Sequence, residues 1–92
     1  MAINCIIIDD EPLAVNVIKN HLQEIGSVNI VETFNSAIEA LSFLKENTID
    51  LIFLDINMPL LDGLNFIKSL EKKPLIIITT AYDEYAIKTY EL

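Results

Sequence analysis

An α/β fold with a parallel sheet covered on both faces is what this 92-residue sequence predicts, and two observations carry that prediction. Short, β-branched, nearly continuous apolar runs alternate with longer segments whose apolar residues recur at helical spacing. Each switch between the two periods is marked by Pro, Gly or a polar pair, so the chain reads β-α-β-α-β-α-β-α with right-handed crossovers.

The elements follow in order. Ala2–Ile8 is a strand of the kind buried on both faces. Pro12 to Ile25 carries a helical stripe through Ala14, Val17, Ile18, Leu22 and Ile25, with Pro12 tolerated in the first turn and Gly26 as the stop. Val28–Phe34 is a second strand, wetter because Glu32 stands between Ile30 and Phe34. Ser36 and Glu39 match a capping box ahead of a stripe through Ala37, Ala40, Leu41 and Leu44. Leu51–Leu54 is a central strand ending at Asp55. A loop with Pro59 and Gly63 leads into a short helix bearing Leu64, Ile67 and Leu70, which Pro74 ends. Leu75–Thr79 is the fourth strand. Tyr82–Leu92 is expected to begin a fourth helix on the spacing of Ala86, Ile87 and Tyr90. It has no closing Gly, Asn or Pro, so the pattern reads as a truncation.

Composition narrows the function classes. Ninety-two residues make one domain at most, 1–92, and an apolar fraction of 52% with 22% charged residues is that of a globular chain. No basic stretch precedes an apolar core at Met1, and no apolar run approaches the roughly 20 residues of a membrane span, so a cytoplasmic domain is expected. Cys5 is the single cysteine, which excludes an intrachain disulfide and suits a reducing compartment. A net charge of −8 repels nucleic-acid phosphates and anionic membranes, so neither is an expected partner of this domain.

The chemistry is carried by carboxylates. Asp9 and Asp10 stand where the first strand runs out, and Asp55 stands at the same place on the third. The carboxyl ends of a parallel sheet share one rim, and if the first and third strands are neighbours the crevice between them is a switch point where ligands bind. Three carboxylates gathered there repel one another unless a cation compensates, and hard oxygen donors without His or Cys favour Mg²⁺ or Mn²⁺ over zinc. Helix and turn capping by Asp9 and Asp55 is the plainer alternative for either residue alone.

Asp9-Asp10-Glu11-Pro12, then Leu54-Asp55-Ile56-Asn57-Met58-Pro59 with Asp62-Gly63, then Thr79-Thr80-Ala81-Tyr82 resemble the receiver domain of two-component response regulators. The run Thr80–Ala86 looks like the subgroup whose output is a LytTR-type DNA-binding domain. The resemblance spans the whole chain and implies a flavodoxin-like doubly wound sheet. The strand order would be 2-1-3-4, a (βα)4 piece of a (βα)5 fold. It implies Asp55 as the acceptor of a phosphoryl group from a sensor histidine kinase. Mg²⁺ would be bound by Asp10, Asp55 and the backbone carbonyl of Asn57, with Asp9 acting through a metal-bound water. Thr80 would hydrogen-bond the phosphoryl group and act as the switch. Phosphoryl transfer asks for little beyond an in-line nucleophile and a cation, which suits this set.

The sequence departs from the family in lacking the fifth strand, its Lys-Pro and the fifth helix. Leu75–Thr79 would then be an unprotected apolar edge, and a homodimer through that edge and the fourth helix is expected. Other residues fit plainer roles. His21 reads as a solvated helix residue, Cys5 as buried and inert, and Lys72-Lys73 as a helix C-terminal charge preference. Tyr82, Tyr85 and Tyr90 could face a partner or pack on the core. Two rival functions are an aspartyl-phosphate hydrolase of the haloacid dehalogenase type, which carries Asp where this chain has Asn57, and a dimerisation module with a vestigial acidic pocket. A nucleotide-binding Rossmann half lacks its Gly-rich loop here.

Overall fold

A computed structural model describes residues 2–58, 63–71, 74–79 and 88–90. Its elements are β1 (Ile3–Ile8), α1 (Pro12–Ile25), β2 (Val28–Phe34), α2 (Ala37–Glu46), β3 (Leu51–Asp55), α3 (Gly63–Lys68), β4 (Leu75–Thr79) and β5 (Lys88–Tyr90). Their order in the sheet is β2-β1-β3-β4-β5. The first four strands are parallel, in the expected order 2-1-3-4, and β5 adds antiparallel to β4.

The β-branched runs sit where the sheet is covered twice. On β1, Ile6 and Ile8 pack with Ile52 and Leu54 of β3 beneath α2 and α3, in a cluster that also holds Ala40, Phe66, Ile67, Leu70 and Ile76. Cys5 and Leu51 point to the other face and pack against Leu22 of α1. Ile6, Ile7, Ile8, Ile52, Leu54 and Ile76 are completely buried. Burying each such side chain is worth about 1.5–3 kcal/mol, so β1 and β3, with Ile76 of β4, anchor the fold.

α1 is capped at both ends. Glu11 is its N-cap, with Pro12 in the first turn, and Gly26 closes it with φ +78° while its N–H reaches the Leu22 carbonyl. That positive φ is what a glycine supplies cheaply. The buried anchors of α1 are Val15 and Leu22, with Ile18 half-buried between them. Val17 and Ile25, expected on the apolar stripe, are exposed, because the buried face of α1 runs through Val15, Ile18 and Leu22, from which Val17 is turned away, and Ile25 is the last residue of the helix. Ser36 is the N-cap of α2, but its side chain makes no capping bond, so the expected capping box with Glu39 does not form. Its backbone carbonyl instead accepts the N–H of Ala40 at 3.2 Å.

β2 contains a bulge. Ile30 pairs with Cys5, yet the next pair is Glu32 with Ile6, so Val31 is an extra residue. The alternation of faces inverts there. Ile30 lies with Cys5 on the α1 side, whereas Phe34 lies with Ile8 on the α2 side, its ring centroid 5.3 Å from that of Phe43.

The fourth helix expected over Tyr82–Leu92 is corrected at Lys88–Tyr90, which forms β5. Ile76, Ile77 and Ile78 pair with Tyr90, Thr89 and Lys88. An apolar strand edge offers unpaired backbone groups, and a stretch with Thr and Tyr satisfies them better as a strand than as a helix turn. The expectation that β4 presents a free edge for dimerisation therefore loses its basis. Tyr82, Tyr85, Lys72 and Lys73 lie outside the described residues, as does the side chain of Leu64.

Candidate metal and phosphoryl site

The strand registers bring the acidic residues together. Ile8 pairs with Leu54, so Asp9 and Asp55 leave neighbouring strands at the same level. The Asp9 N–H donates to the Phe34 carbonyl at 2.9 Å, extending the β1–β2 ladder by one step and holding Asp9 in line. Beyond Asp55, the Ile56 N–H reaches the Thr79 carbonyl at 3.4 Å. Asp55 pairs with Thr79 itself; Thr80, expected at the site, lies outside the described residues.

Asp9 and Asp55 are buried, 5% and 7% exposed, while Asp10 is exposed. One carboxylate oxygen from each of the three lies within 4.8 Å of the others. Burial, with this crowding added, raises the Asp9 carboxyl to about 6. Burial is the largest cause, and the N–H of Glu11 pulls the other way. The negative charge of Asp55, a hydrogen bond to its carboxylate that favours protonated Asp9, and the charge of Asp10 push it further up. Charge is therefore in excess here until a proton or a cation arrives. The donors are all oxygen, the set that suits a small hard divalent ion.

Both buried carboxylates are also tied to the backbone. Asp9 Oδ1 accepts the Glu11 N–H at 2.9 Å, and Asp55 Oδ1 accepts the Asn57 N–H at 2.9 Å. The turn cap that the plainer alternative assigned to Asp55 is thus present and coexists with the convergence, whereas Asp9 makes a local turn bond and does not cap the helix. Glu11 in turn accepts the Leu13 N–H at 3.4 Å, so the helix cap belongs to Glu11 and not to Asp9. The two backbone amides were invisible to side-chain reasoning. Their only trace in the sequence is an Asp at each strand end with a loop residue two positions on. A cavity of about 400 Å³ opens from the rim between α1 and the start of α2, lined among others by Asp9, Asp10, Asn16, Lys19, Phe34 and Glu39.

Elsewhere, His21 is exposed and Cys5 is buried, its thiol pushed up to about 11 by that burial. Both match their expected plain roles. No helix among the described residues is long and apolar enough to cross a membrane.

Comparison with known proteins bears on the same residues. The profile of the family described as "Response regulator receiver domain" matches residues 5–92. The transcriptional regulatory protein BtsR of Escherichia coli K12 is 41% identical over 91 residues, covering 97% of this chain and 38% of that protein. YpdB of the same strain, also a transcriptional regulatory protein, is 39% identical over 90 residues, covering 95% of this chain and 37% of its own length. The chain thus spans less than two fifths of the curated relatives it matches. Among solved structures, the response regulatory domain of mrkE from Klebsiella pneumoniae superposes with a TM-score of 0.77 at 36% identity, covering 90% of this chain and 70% of that one. The two curated relatives are named as transcriptional regulators and the matching profile is that of a receiver domain, which sets aside the hydrolase of the haloacid dehalogenase type. A profile match over nearly the whole length, on a sheet of the same order whose rim gathers Asp9, Asp10 and Asp55, places this chain in the response regulator receiver domain family.

Proposed function

We propose that Asp55 is the phosphoacceptor of a two-component system, taking its phosphoryl group from a phosphohistidine of a sensor histidine kinase. The observation that carries this reading is the convergence of Asp9, Asp10 and Asp55 within 4.8 Å at the carboxyl rim. Mg²⁺ fits this donor set, and Asp10, Asp55 and the carbonyl of Asn57 would hold it with Asp9 behind them. Bound there, the ion supplies positive charge for the phosphoryl oxygens. The chain's own part is to keep the Asp55 carboxylate fixed, dry on its inner side and open at the rim. Thr80, next to Thr79, would hydrogen-bond the phosphoryl group and pass the change on.

The output is a separate DNA-binding domain of LytTR type, a reading supported by the Thr80–Ala86 run and by relatives that are transcriptional regulators. The domain itself, with its charge of −8, leaves nucleic acid to that partner and works in the cytoplasm. Self-association as a homodimer belongs to the same reading, through a surface other than the β4 edge, and sedimentation at rising concentration tests it.

The test of the central assignment is labelling by a small phosphodonor or beryllofluoride in the presence of Mg²⁺, read by mass spectrometry. Label is expected on Asp55 alone and lost in Asp55→Asn. Label that persists in that variant overturns the assignment. A protein that neither takes label nor shows Mg²⁺-dependent NMR shifts near Asp10 and Asp55 would instead have a vestigial pocket.

A further inference from the structure

Asp9 and Asp55 leave neighbouring strands at one level, and each has its Oδ1 engaged by the backbone N–H two residues on, at 2.9 Å in both cases. The two oxygens of Asp55 are therefore not equivalent. Oδ1 is held by Asn57, and Oδ2 is free of that tether. We infer that the Asn57 amide is a positioning group for the chemistry at Asp55: it reserves Oδ2 for phosphorus and shortens the life of the phosphorylated state. This rests on Asp55 being the phosphoacceptor and adds to that reading how long the signal lasts.

Charge bookkeeping on Oδ1 carries the argument. When a small acyl phosphate such as acetyl phosphate reacts, a lone pair of Oδ2 forms the new bond to phosphorus. The donor's P–O bond breaks and its electron pair leaves on acetate; no proton moves. Oδ1 then becomes the neutral acyl oxygen of the aspartyl phosphate, a weaker acceptor for the Asn57 N–H. In hydrolysis a water oxygen attacks phosphorus, the Oδ2–P bond breaks, and its pair returns to the carboxylate while the water protons stay with inorganic phosphate. Negative charge regrows on Oδ1 as that bond breaks. A donor already aimed at Oδ1 stabilises the regrowing charge without rearranging, so it speeds loss of the phosphoryl group. The same tether prevents rotation of the carboxylate, which would otherwise present either oxygen to phosphorus.

Replacing Asn57 by its α-hydroxy-acid analogue removes the N–H as an ester linkage and keeps the side chain and the carbonyl. With phosphorylation by acetyl phosphate in excess Mg²⁺, the aspartyl phosphate of this variant is expected to outlive that of the unaltered chain about tenfold, the scale of one charge-assisted hydrogen bond. A loosened loop could lengthen the lifetime only through weaker metal binding, so a lifetime that returns to the unaltered value as Mg²⁺ is raised counts against the inference. A second measurement needs no variant. In the unaltered, unphosphorylated chain, a through-hydrogen-bond scalar coupling between Asn57 nitrogen and Asp55 Cγ is expected, and it should weaken on phosphorylation. If the unaltered chain is labelled on Asp55 but the ester decays equally fast or faster, or if the coupling is absent, the tether inference fails and the phosphoacceptor assignment stands. If the unaltered chain takes no phosphoryl group, both fail together.

Discussion

The two rims of the sheet use the same residue types to opposite ends. At the amino rim, Asp50 spends its polar groups on neighbouring strands. Its side chain accepts the Asn4 N–H at 2.9 Å, its own N–H reaches the Asn4 carbonyl at 2.9 Å, and its carbonyl accepts the Leu75 N–H at 3.0 Å. Asn29 Nδ2 adds a bond to Asn4 Oδ1 at 3.1 Å. One exposed carboxylate there has water and donors around it, and it stitches β1 to β3 and β4. At the carboxyl rim two buried carboxylates and an exposed one crowd within 4.8 Å, and among the described residues a backbone N–H tethers one oxygen of each buried one. The difference teaches that an aspartate at a strand end is a fastener when solvated and alone. Buried among others of its kind, it holds charge that something else must neutralise.

The sharpest way to break this contrast is to remove charge from the carboxyl rim. Asp10→Asn should weaken Mg²⁺ binding by about 10–100-fold, the range seen when metal surroundings are altered. Calorimetric titration checks it, and an unchanged affinity would take Asp10 out of the ligand set.

Asp9→Asn keeps an acceptor for the Glu11 N–H and deletes the crowded charge. It should stabilise the metal-free chain at pH 7 by up to about 3 kcal/mol, the worth of a carboxyl raised from its ordinary value to about 6. The sign follows from linkage. With Asp9 raised to about 6, the folded chain holds a proton that the unfolded chain has lost between roughly pH 4 and 6. Metal-free stability should therefore fall as pH rises through that window, and Asp9→Asn should flatten the fall. Urea melts at several pH values read both effects, and a steeper dependence in the variant would refute the charge account.

The amino rim should respond the other way. Asp50→Ala removes a bond that stitches strands and should destabilise the chain by about 0.5–1.5 kcal/mol without touching Mg²⁺ affinity. Smallest of all, Gly26→Ala sits far from either rim and meets no atom within 4 Å, so only its φ of +78° is at stake. A loss of about 1 kcal/mol in chemical denaturation, with metal binding intact, is expected.

Much of this was legible because it is local. The runs 3–8, 51–55 and 75–79 and the stretch 12–25 carry their period in the sequence, and Asp9, Asp10 and Asp55 announce themselves by ending strands. What escaped is non-local. Lys88–Tyr90 becomes a strand only because β4 offers an edge, and nothing within three residues encodes that. Val15 displaces Val17 as an anchor because the side of α1 that meets the sheet is set by how the whole helix packs, and both residues are valines. The tethers on Asp9 and Asp55 come from main-chain amides, which every residue except proline has, so no letter marks them.

The extra residue at Val31 has a consequence for how the outermost parallel strand tolerates length changes. Surface strands are usually where insertions and deletions are absorbed, and here the register already holds one residue of slack. Ile30 stands opposite Cys5 and Glu32 opposite Ile6, so a chain without Val31 would alternate evenly and keep the pairs on both sides of the gap. Phe34 would stay opposite Ile8 in the layer holding Phe43, and its carbonyl would still meet the Asp9 N–H. A one-codon deletion at Val31, 41% exposed, would thus leave the acidic rim in place.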